Sequence, residues 1–344
     1  MRETLDVTVI MAVYNSARFL EAACLSVLAE TTSDMELILV DDGSTDGSAE
    51  LCDSIAQRDS RVVVVHKKNG GMCQARNFAL ERARGEYVTF VDNDDLVLKG
   101  FVDANLAVAR KFNADVVRFG RIMQRINSKD QVLRVAEVCP TRICCFQGSE
   151  IRRNLELAHY GSDGVWTGLY RTQMLRNERI IFPEFFRSGM EDVWFNDQVI
   201  RVANSYAFNN HSYYVWKRRS DHSTSMKLSP NRFDSIRDTL AFEFEMMNDY
   251  RMTSFNPDWC SERLFLLTRD CLTTAAYRDD GDMHAENVVY EQIRELLLPY
   301  SHFMRSYRPC GVDGLMFSLL VAKRYGCLRR VISAGVGIKR FIGK

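Results

Sequence analysis

Three carboxylates stand within four residues in the segment Gly85–Leu98, which reads GEYVTFVDNDDLVL. The strand-forming run Tyr87–Val91 leads directly into Asp92, Asn93, Asp94 and Asp95. Neighbouring carboxylates repel one another, and each ionised group raises the cost of ionising the next. The cluster therefore predicts a bound cation or a set of backbone N–H groups around it. An acidic turn that faces open water is the alternative interpretation.

The rest of the N-terminal sequence predicts the elements that position this cluster. Short apolar runs typical of buried parallel strands occur at Val7–Val13, Glu36–Val40, Val62–Val65 and Tyr87–Val91. Apolar residues at helical spacing follow each of the first three runs, as in Ala49–Arg58 and Met72–Arg84. Repeated strand–helix units favour a doubly wound, mostly parallel sheet whose ligands bind at the carboxyl ends of the strands. Those ends carry Tyr14-Asn15, Asp41-Asp42 and Asp92–Asp95.

The two common phosphate-binding loops are absent from the sequence. A P-loop requires GxxxxGK[ST] and a dinucleotide fold requires GxGxxG after its first strand, whereas AVYNSARF stands at that position. No glycine there lets a pyrophosphate approach the helix N-terminus. The acidic cluster with a divalent cation is the remaining candidate, because Mg²⁺ prefers one or two carboxylates plus substrate phosphate oxygens.

Length and composition narrow the classes of protein further. A chain of 344 residues is long enough for two packed units. Forty-five basic residues balance forty-five acidic ones, so no net field favours a nucleic-acid partner. The ten cysteines form no CxxC pair, which indicates free thiols in a reducing cytosol. Neither a signal peptide nor a membrane-spanning run of roughly 18 apolar residues is recognisable, and we expect a cytoplasmic location.

Four motifs follow one another through the N-terminal part of the chain: VTVIMAVYNSARFLEAACLSVL, ELILVDDGSTDGS, NGGMCQARNFAL and GEYVTFVDNDD. In content and order they resemble the family-2 glycosyltransferases with a GT-A fold, which build bacterial surface polysaccharides. The resemblance implies an α/β, GT-A-type catalytic domain over residues 1–228 and a helical C-terminal region over residues 229–344. Residues 1–100 would bind the nucleotide sugar, and residues 101–228 would bind the acceptor.

The resemblance places the donor nucleotide on the first three motifs. Ala12 and Tyr14 would line the base pocket, with Tyr14 against a uracil-type ring, and Asp42 would accept the N–H of the base. Arg76 would lie near the ribose or the phosphates, since a guanidinium suits a diphosphate. The alternatives are a half-buried strand-end Tyr14, a turn-forming Asp42 before Gly43 and a solvated Arg76.

By the same resemblance, the acidic cluster corresponds to the DxD element of the family. Asp92, Asn93 and Asp94 would form it, with Asp92 near the ribose hydroxyls and Asp94, helped by Asp92, on a Mg²⁺ or Mn²⁺ ion that bridges the two phosphates. We expect Asp95 to cap the following helix.

The acceptor half carries two further resemblances. Trp166, in VWTGLYR, would stack on a sugar face, and packing in the core is the alternative. The segment RSGMEDVWF resembles the ED-x-x-[FW] motif of the family, which makes Asp192 the general base with Glu191 beside it. Stabilisation of a helix dipole is the alternative role of this acidic pair.

The segment Tyr213–Met226 resembles the closing strand and flexible loop of the family. Arg218 or Arg219, together with Ser223, would reach the diphosphate once the donor binds, as in a lid. His222 is interpreted as solvated, because a lone histidine in a polar loop is seldom a metal ligand.

The C-terminal region shows helical spacing and no catalytic motif. Its last residues, 323–344, contain seven Lys or Arg residues and no acid, interleaved with apolar residues. Such a basic amphipathic segment suits peripheral binding to the anionic inner face of the cell membrane. The alternative is a docking helix whose basic residues face water.

These observations and the resemblance together predict an inverting, metal-dependent hexosyltransferase. It would move a sugar from a nucleotide diphosphate donor, expected to be a UDP-sugar, to a glycan or lipid-linked acceptor in surface polysaccharide synthesis. Two alternatives remain open. A sugar nucleotidyltransferase would be expected to have a glycine-rich, lysine-ended loop after the first strand, and a catalytically silent nucleotide-sugar-binding module would lack Asp192.

Overall fold

The computed structural model describes residues 5–30, 34–158, 161, 163–186, 189–219, 230–251, 257–275, 283–300 and 311–342. The chain folds as two compact units, Met1–Ser223 and Thr224–Lys344. The strands of the first unit are β1 (Leu5–Val13), β2 (Met35–Asp41), β3 (Val62–His66), β4 (Gly85–Phe90), β5 (Leu96–Val97), β6 (Val116–Ile126), β7 (Val132–Val138), β8 (Cys144–Gln147), β9 (Gly168–Arg171) and β10 (Ser205–Arg219). Its helices are α1 (Ala17–Leu28), α2 (Ser48–Arg58), α3 (Met72–Arg82), α4 (Asp103–Phe112), α5 (Ser149–Arg153), α6 (Leu155–Ala158), α7 (Thr172–Asn177) and α8 (Glu191–Val202).

One sheet in the order β3-β2-β1-β4-β9-β6-β10-β5 runs through this unit, with β7 paired to β6 and β8 paired to β10. The first four strands pair in parallel, and β6 pairs in parallel with β10. The intervening strand β9 is antiparallel to both β4 and β6. The predicted α/β class is confirmed, and its parallel pairing is concentrated in the half that precedes residue 100.

The apolar runs of the sequence explain why these strands lie in the centre. Every residue of β2 is buried, and β1 is buried over most of its length, as expected for a strand covered by helices on both faces. Helix α1 turns Leu20, Ala23, Cys24 and Val27 towards the sheet, at the spacing of one helical face. The carboxyl ends of β1, β2 and β4 therefore meet at one edge.

The second unit is helical, and its helices are α9 (Pro230–Asp249), α10 (Pro257–Ala275), α11 (Met283–Leu297), α12 (Val312–Val321) and α13 (Tyr325–Ile342). Leu328 and Ile332 on α13 are buried. Arg329 of the same helix bonds Glu286 at 2.5 Å. The first half of the predicted membrane-binding segment thus packs inside this unit, as a docking helix would. Among the described residues, no helix is both long and apolar enough to cross a membrane.

Candidate active site

The loop after β2 is built around the carboxylate of Asp42. Its Oδ1 accepts hydrogen bonds from Lys67 Nζ at 2.5 Å and from the Gly70 N–H at 2.9 Å, and its Oδ2 accepts the Gly71 N–H at 2.7 Å. Asp42 is buried, and through these hydrogen bonds it holds the glycine pair that precedes α3. Sequence reasoning missed Lys67. The predicted contact between Asp42 and a base N–H stays a prediction, and in this structure the carboxylate serves the chain itself.

The end of β1 offers an open aromatic ring beside this loop. Tyr14 is 51% exposed, which leaves its ring accessible to a planar ligand. The carbonyl of Ala12 accepts a hydrogen bond from Asn93 Nδ2 at 2.8 Å. Asn93 thereby ties the acidic loop to the strand end that was predicted to line the base pocket.

Arg76 joins two acidic segments that are a hundred residues apart in the sequence. Its Nη2 donates to Asp92 Oδ1 at 2.9 Å, and its Nη1 donates to Asp192 Oδ1 at 2.7 Å. The Arg76 side chain is only 3% exposed and lies over the ring of Phe182 at 5.1 Å. The structure therefore excludes the solvated Arg76 and brings the predicted DxD element and the predicted general base to a single site.

Burial sets the electrostatics of this site. It raises the pKa of Asp192, Arg76 acts in the opposite direction, and repulsion from Asp92 adds to the rise. The pKa of Asp92 is also raised by burial, against the lowering effect of Arg76. Burial alone would lower the pKa of Arg76. The nearby carboxylates of Asp192 and Asp92 outweigh that effect and raise the pKa, so the guanidinium stays charged. A carboxylate with a raised pKa is a stronger base than a solvated one.

Asp94 and Asp95 face different partners on β10. Arg219 Nη1 donates to Asp94 Oδ2 at 2.6 Å, and its Nη2 donates to the Asp94 carbonyl at 2.9 Å. Asp95 is buried and accepts the Tyr214 hydroxyl at 2.8 Å and the Lys217 N–H at 2.7 Å. The prediction that Asp95 caps the following helix is wrong, because its carboxylate anchors the loop to β10.

Tyr214 is the residue of this loop support that sequence reasoning missed. Besides donating to Asp95, its hydroxyl accepts the N–H of Asp92 at 3.1 Å.

Trp166 is 5% exposed and stacks on the Tyr214 ring with centroids 4.4 Å apart. The structure thus shows Trp166 in the core packing that was the alternative to sugar stacking. The backbone next to Trp166 contacts the site, since the N–H of Val165 donates to Asp192 Oδ2 at 3.4 Å.

Arg118 holds the short 3₁₀ segment Val165–Thr167 through hydrogen bonds to its neighbours and to Thr167 itself. It is fully buried and donates to Tyr170 Oη at 2.8 Å, to the Gly164 carbonyl at 3.1 Å and to Thr167 Oγ1 at 2.8 Å. An arginine within the apolar run Val116–Phe119 was the sequence signal for such a role, because a buried charge requires a dedicated set of partners.

The remaining predicted site residues lie at the periphery or outside the described chain. Glu191 is buried beside Asp192 at the start of α8. Arg218 is exposed on β10, where its guanidinium lies 5.8 Å from the Trp216 ring. Ser223 and His222 fall outside the described residues.

The carboxylates of the acidic loop suit a hard cation. The side chains of Asp92 and Asp94 are 32% and 39% exposed, so both carboxylates are partly accessible to a cation. Within the described residues, no group of three or more His, Cys, Asp and Glu side chains could hold a metal ion. Two carboxylates with the remaining ligands from phosphate and water match the preference of Mg²⁺. These residues therefore fit a divalent cation that is shared with a substrate.

Comparison with known proteins agrees with this geometry. The model of the family "Glycosyl transferase family 2" matches residues 8–190, which is more than half of the chain. This protein belongs to glycosyl transferase family 2. The match ends one residue before Glu191, so the roles of Glu191 and Asp192 depend on their place in the structure.

Named relatives of this chain are glycosyltransferases as well. It is 28% identical to the uncharacterised glycosyltransferase EpsJ of Bacillus subtilis, over 86% of this chain and 88% of that protein. It is 29% identical to the cholesterol galactosyltransferase of Borreliella burgdorferi, over 71% of each chain. The crystal structure of S. aureus TarS in complex with UDP-GlcNAc superposes with a TM-score of 0.72 at 18% identity, over 97% of this chain and 92% of that one. The GT-A-type fold is thereby confirmed, and the protein is a glycosyltransferase rather than a nucleotidyltransferase or a silent binding module.

Proposed function

We propose that this glycosyltransferase is an inverting, metal-dependent hexosyltransferase. It transfers a sugar from a nucleotide diphosphate, UDP in the first instance, to a glycan or lipid-linked acceptor in surface polysaccharide synthesis. The observation that carries the proposal is the Arg76 bridge, which holds Asp92 and Asp192 on the two ends of one guanidinium. A donor-side acid and a candidate base are thus fixed relative to each other before any substrate arrives.

Asp192 acts as the general base in this proposal. Burial raises its pKa, and its Oδ2 is bonded only loosely, by the Val165 N–H at 3.4 Å. That oxygen accepts the proton of the acceptor hydroxyl while the hydroxyl oxygen bonds the anomeric carbon and the bond to the nucleotide diphosphate breaks. One base and one displacement invert the anomeric configuration.

The donor half binds the nucleotide on its exposed strand ends. Tyr14 offers its ring to the base, and Asp92 lies within reach of the ribose. Asp94, with Asp92, would hold Mg²⁺ or Mn²⁺, and the ion would neutralise the developing charge of the leaving diphosphate. A uridine nucleotide is supported by the fold shared with TarS, which was crystallised with UDP-GlcNAc.

Arg219 is proposed to turn to the diphosphate when the donor binds. Arg219 now neutralises Asp94, so a cation at Asp94 would release its guanidinium. The last residues of the chain are proposed to hold the enzyme against the inner face of the cell membrane, because Lys339, Arg340 and Lys344 are interleaved there with apolar residues.

A panel of nucleotide sugars, each assayed with Mn²⁺, with Mg²⁺ and with a chelator, tests the proposal. We expect turnover of at least one UDP-sugar that the chelator abolishes. The anomeric configuration of the product, read by NMR, tests inversion separately. Turnover that is unchanged by the chelator would remove the metal from the mechanism, and a retained configuration would remove the single displacement.

A further inference from the structure

Four arginines share one face of the sheet where β7, β6 and β10 lie side by side. The strand registers place Arg125 of β6 directly opposite Arg134 of β7 and directly opposite Arg218 of β10. Arg121 points to the same face of β6, because alternate side chains along a strand share a face. We name the surface formed by Arg121, Arg125, Arg134 and Arg218 the arginine face.

Most of the positive charge on this face is uncompensated. Arg125, Arg134 and Arg218 are exposed, and no carboxylate of the described chain lies within ion-pair distance of them. Arg121, by contrast, is held by Asp163 through two bonds of 2.6 and 2.8 Å. Like charges directly opposite each other destabilise a pair of strands. A row of three such arginines therefore indicates a surface that meets an anionic ligand.

An aromatic ring lies on the same face. Trp216 is partly exposed on β10, and the Arg121 and Arg218 guanidiniums lie 5.7 and 5.8 Å from its ring centre. Aromatic faces pack against the C–H surface of sugars, while guanidiniums bind carboxylates and phosphates through paired N–H groups. This combination suits a sugar that carries an acidic group.

The arginine face leads to the candidate base through direct contacts. Trp216 packs against Trp166 with ring centroids 5.7 Å apart. Trp166 follows Val165, whose N–H donates to Asp192. A chain bound along the arginine face and Trp216 would thus approach the carboxylate that is proposed to activate the acceptor hydroxyl.

The distribution of apolar residues favours a glycan over a lipid surface. Val135, the exposed apolar residue that follows Arg134, is 58% exposed. It lies opposite Gln124 in the regular part of the β6–β7 register, so its side chain points to the opposite face of β7. A membrane-binding surface needs basic and apolar side chains together. On the arginine face, by contrast, the aromatic residue is Trp216, whose ring centre has the guanidiniums of Arg121 and Arg218 at 5.7 and 5.8 Å.

We propose that the arginine face is the acceptor subsite and that it binds an anionic glycan, a sugar chain with carboxylate or phosphate groups on successive units. This inference rests on the proposed transferase function. Trp216 packs against one sugar ring, and Arg125, Arg134 and Arg218 pair with the acidic groups of the units around it. Arg121, fixed by Asp163, orients the aromatic ring.

Binding to the full-length protein tests the subsite without any turnover. The probes are oligogalacturonate, phosphorylated dextran and neutral dextran of the same length. We expect the two anionic probes to bind, with affinity that falls as salt rises, and the neutral probe to bind at least tenfold more weakly. Equal binding of neutral dextran, or no binding of either anionic probe, would overturn the proposal.

Charge reversal at Arg134 supplies the matched test. Arg134→Glu should weaken binding of the anionic probes about tenfold, while its thermal midpoint stays at or above that of the wild type, because Glu opposite Arg125 replaces a repulsive pair with an attractive one. Arg153→Glu makes the same charge change on exposed α5 and should leave binding unchanged. Equal losses in the two variants would reduce the effect to net charge and overturn the assignment.

Two further measurements separate the proposal from its rivals. Vesicles with phosphatidylserine should bind Arg134→Glu and wild-type protein equally, and a loss confined to vesicles would make the face a membrane surface instead. Donor hydrolysis by the wild-type enzyme tests the transferase function independently. Hydrolysis without glycan binding would refute the subsite alone, whereas glycan binding without turnover of any donor would refute the transferase function.

Discussion

At the scale of single residues, the site depends on one arginine between two acids. Arg76 is buried, and each of its terminal nitrogens bonds a different carboxylate. The arrangement links a residue predicted to contact the donor, Asp92, with the proposed base, Asp192. Asp192, whose side chain is 14% exposed, would be costly to enclose without this cation, since an unpaired buried charge costs several kcal/mol.

Replacement of Asp192 by Asn tests the base directly. Asn keeps the size of the side chain and can still accept the Arg76 hydrogen bond, but it cannot take a proton. We expect kcat to fall by about a hundredfold or more, with nucleotide affinity within about twofold of the wild type. Asp103→Asn, at the start of α4, is the control because it also removes an acid from the first turn of a helix. An equal loss of activity in both variants would make Asp192 a helix-stabilising residue.

Removal of the guanidinium should be costly for folding. Arg76→Met leaves Asp92 and Asp192 without their shared cation, and we expect the free energy of unfolding to fall by about 3–5 kcal/mol. Urea unfolding at neutral pH measures it. The double variant Arg76→Met/Asp192→Asn should recover part of the loss, because only the carboxylate of Asp92, which is 32% exposed, then lacks its cation. A double variant as unstable as the sum of the two single variants would show that the pair is not coupled.

Sequence reasoning selected candidate residues that the structure brings together, but it did not predict the contacts between them. Asp92, Asp192 and Arg76 were each assigned from local motifs, and the structure places all three together. Sequence reasoning could not place Arg76 between the two acids, because that position depends on how α3 and α8 pack against the sheet. Asp95 was misassigned for the same reason: its partner Tyr214 lies more than a hundred residues away, and the local pattern of an acid near a helix suggested a cap.

At the scale of elements, β10 supports the acidic loop and divides the site into two sides. Tyr214, Trp216 and Arg218 alternate with Val215, Lys217 and Arg219 along the strand. Arg219 meets the donor-side Asp94, whereas Trp216 and Arg218 belong to the arginine face. The predicted sheet included only the end of this 15-residue strand, because its pairing with β6 is set by long-range contacts. The first three strand–helix units, in contrast, were predicted to within a few residues, since each is built from neighbours in sequence.

The hydroxyl of Tyr214 is the link between β10 and the loop. Tyr214→Phe removes one of the two hydrogen-bond donors to the Asp95 carboxylate and the acceptor of the Asp92 N–H. We expect about 1–3 kcal/mol of lost stability together with a severalfold rise in the KM for the donor. Tyr206→Phe is a matched control, because that buried tyrosine of the same strand donates only to the Ala158 carbonyl. The control should lose stability without a change in KM. A change in KM shared by both variants would point to a general effect of loosening β10.

A histidine joins the ends of β2 and β3 to α2 and makes stability depend on pH. The pKa of His66 is raised from 6.5 by Asp41 and by Asp53, to which its two ring nitrogens are each 3.1 Å away. The stabilisation is complete below pH 6.5 and is lost as the pH rises through the higher folded-state value. The half-exposed ring limits the effect to below about 1 kcal/mol. Urea unfolding at pH 6 and pH 8 should show this loss in the wild type and in the control His211→Gln, and not in His66→Gln. An identical drop in His66→Gln would exclude the bridge as its cause.

At the scale of the whole molecule, the two units divide the tasks of the chain. The first unit contains every assigned site residue that the structure describes, and the second has a helical core of its own, with buried residues on each of its five described helices. The C-terminal basic segment is therefore not a free tail along its whole length. Leu328 and Ile332 are committed to that core, which leaves residues 335–344 as the part proposed to meet a membrane.

Two truncations distinguish these parts of the segment. Deletion of residues 335–344 removes Lys339, Arg340 and Lys344, and at about 1 kcal/mol for each basic residue near an anionic surface it should weaken binding to phosphatidylserine vesicles by about a hundredfold. The helical signal in circular dichroism should change little. Deletion from residue 323 also removes buried Leu328 and Ile332, so it should lower the thermal midpoint, because each lost core side chain costs about 2–5 kcal/mol. If the shorter deletion leaves vesicle binding intact while the longer one abolishes it, the loss reflects unfolding of the second unit and the membrane role of the last residues is refuted.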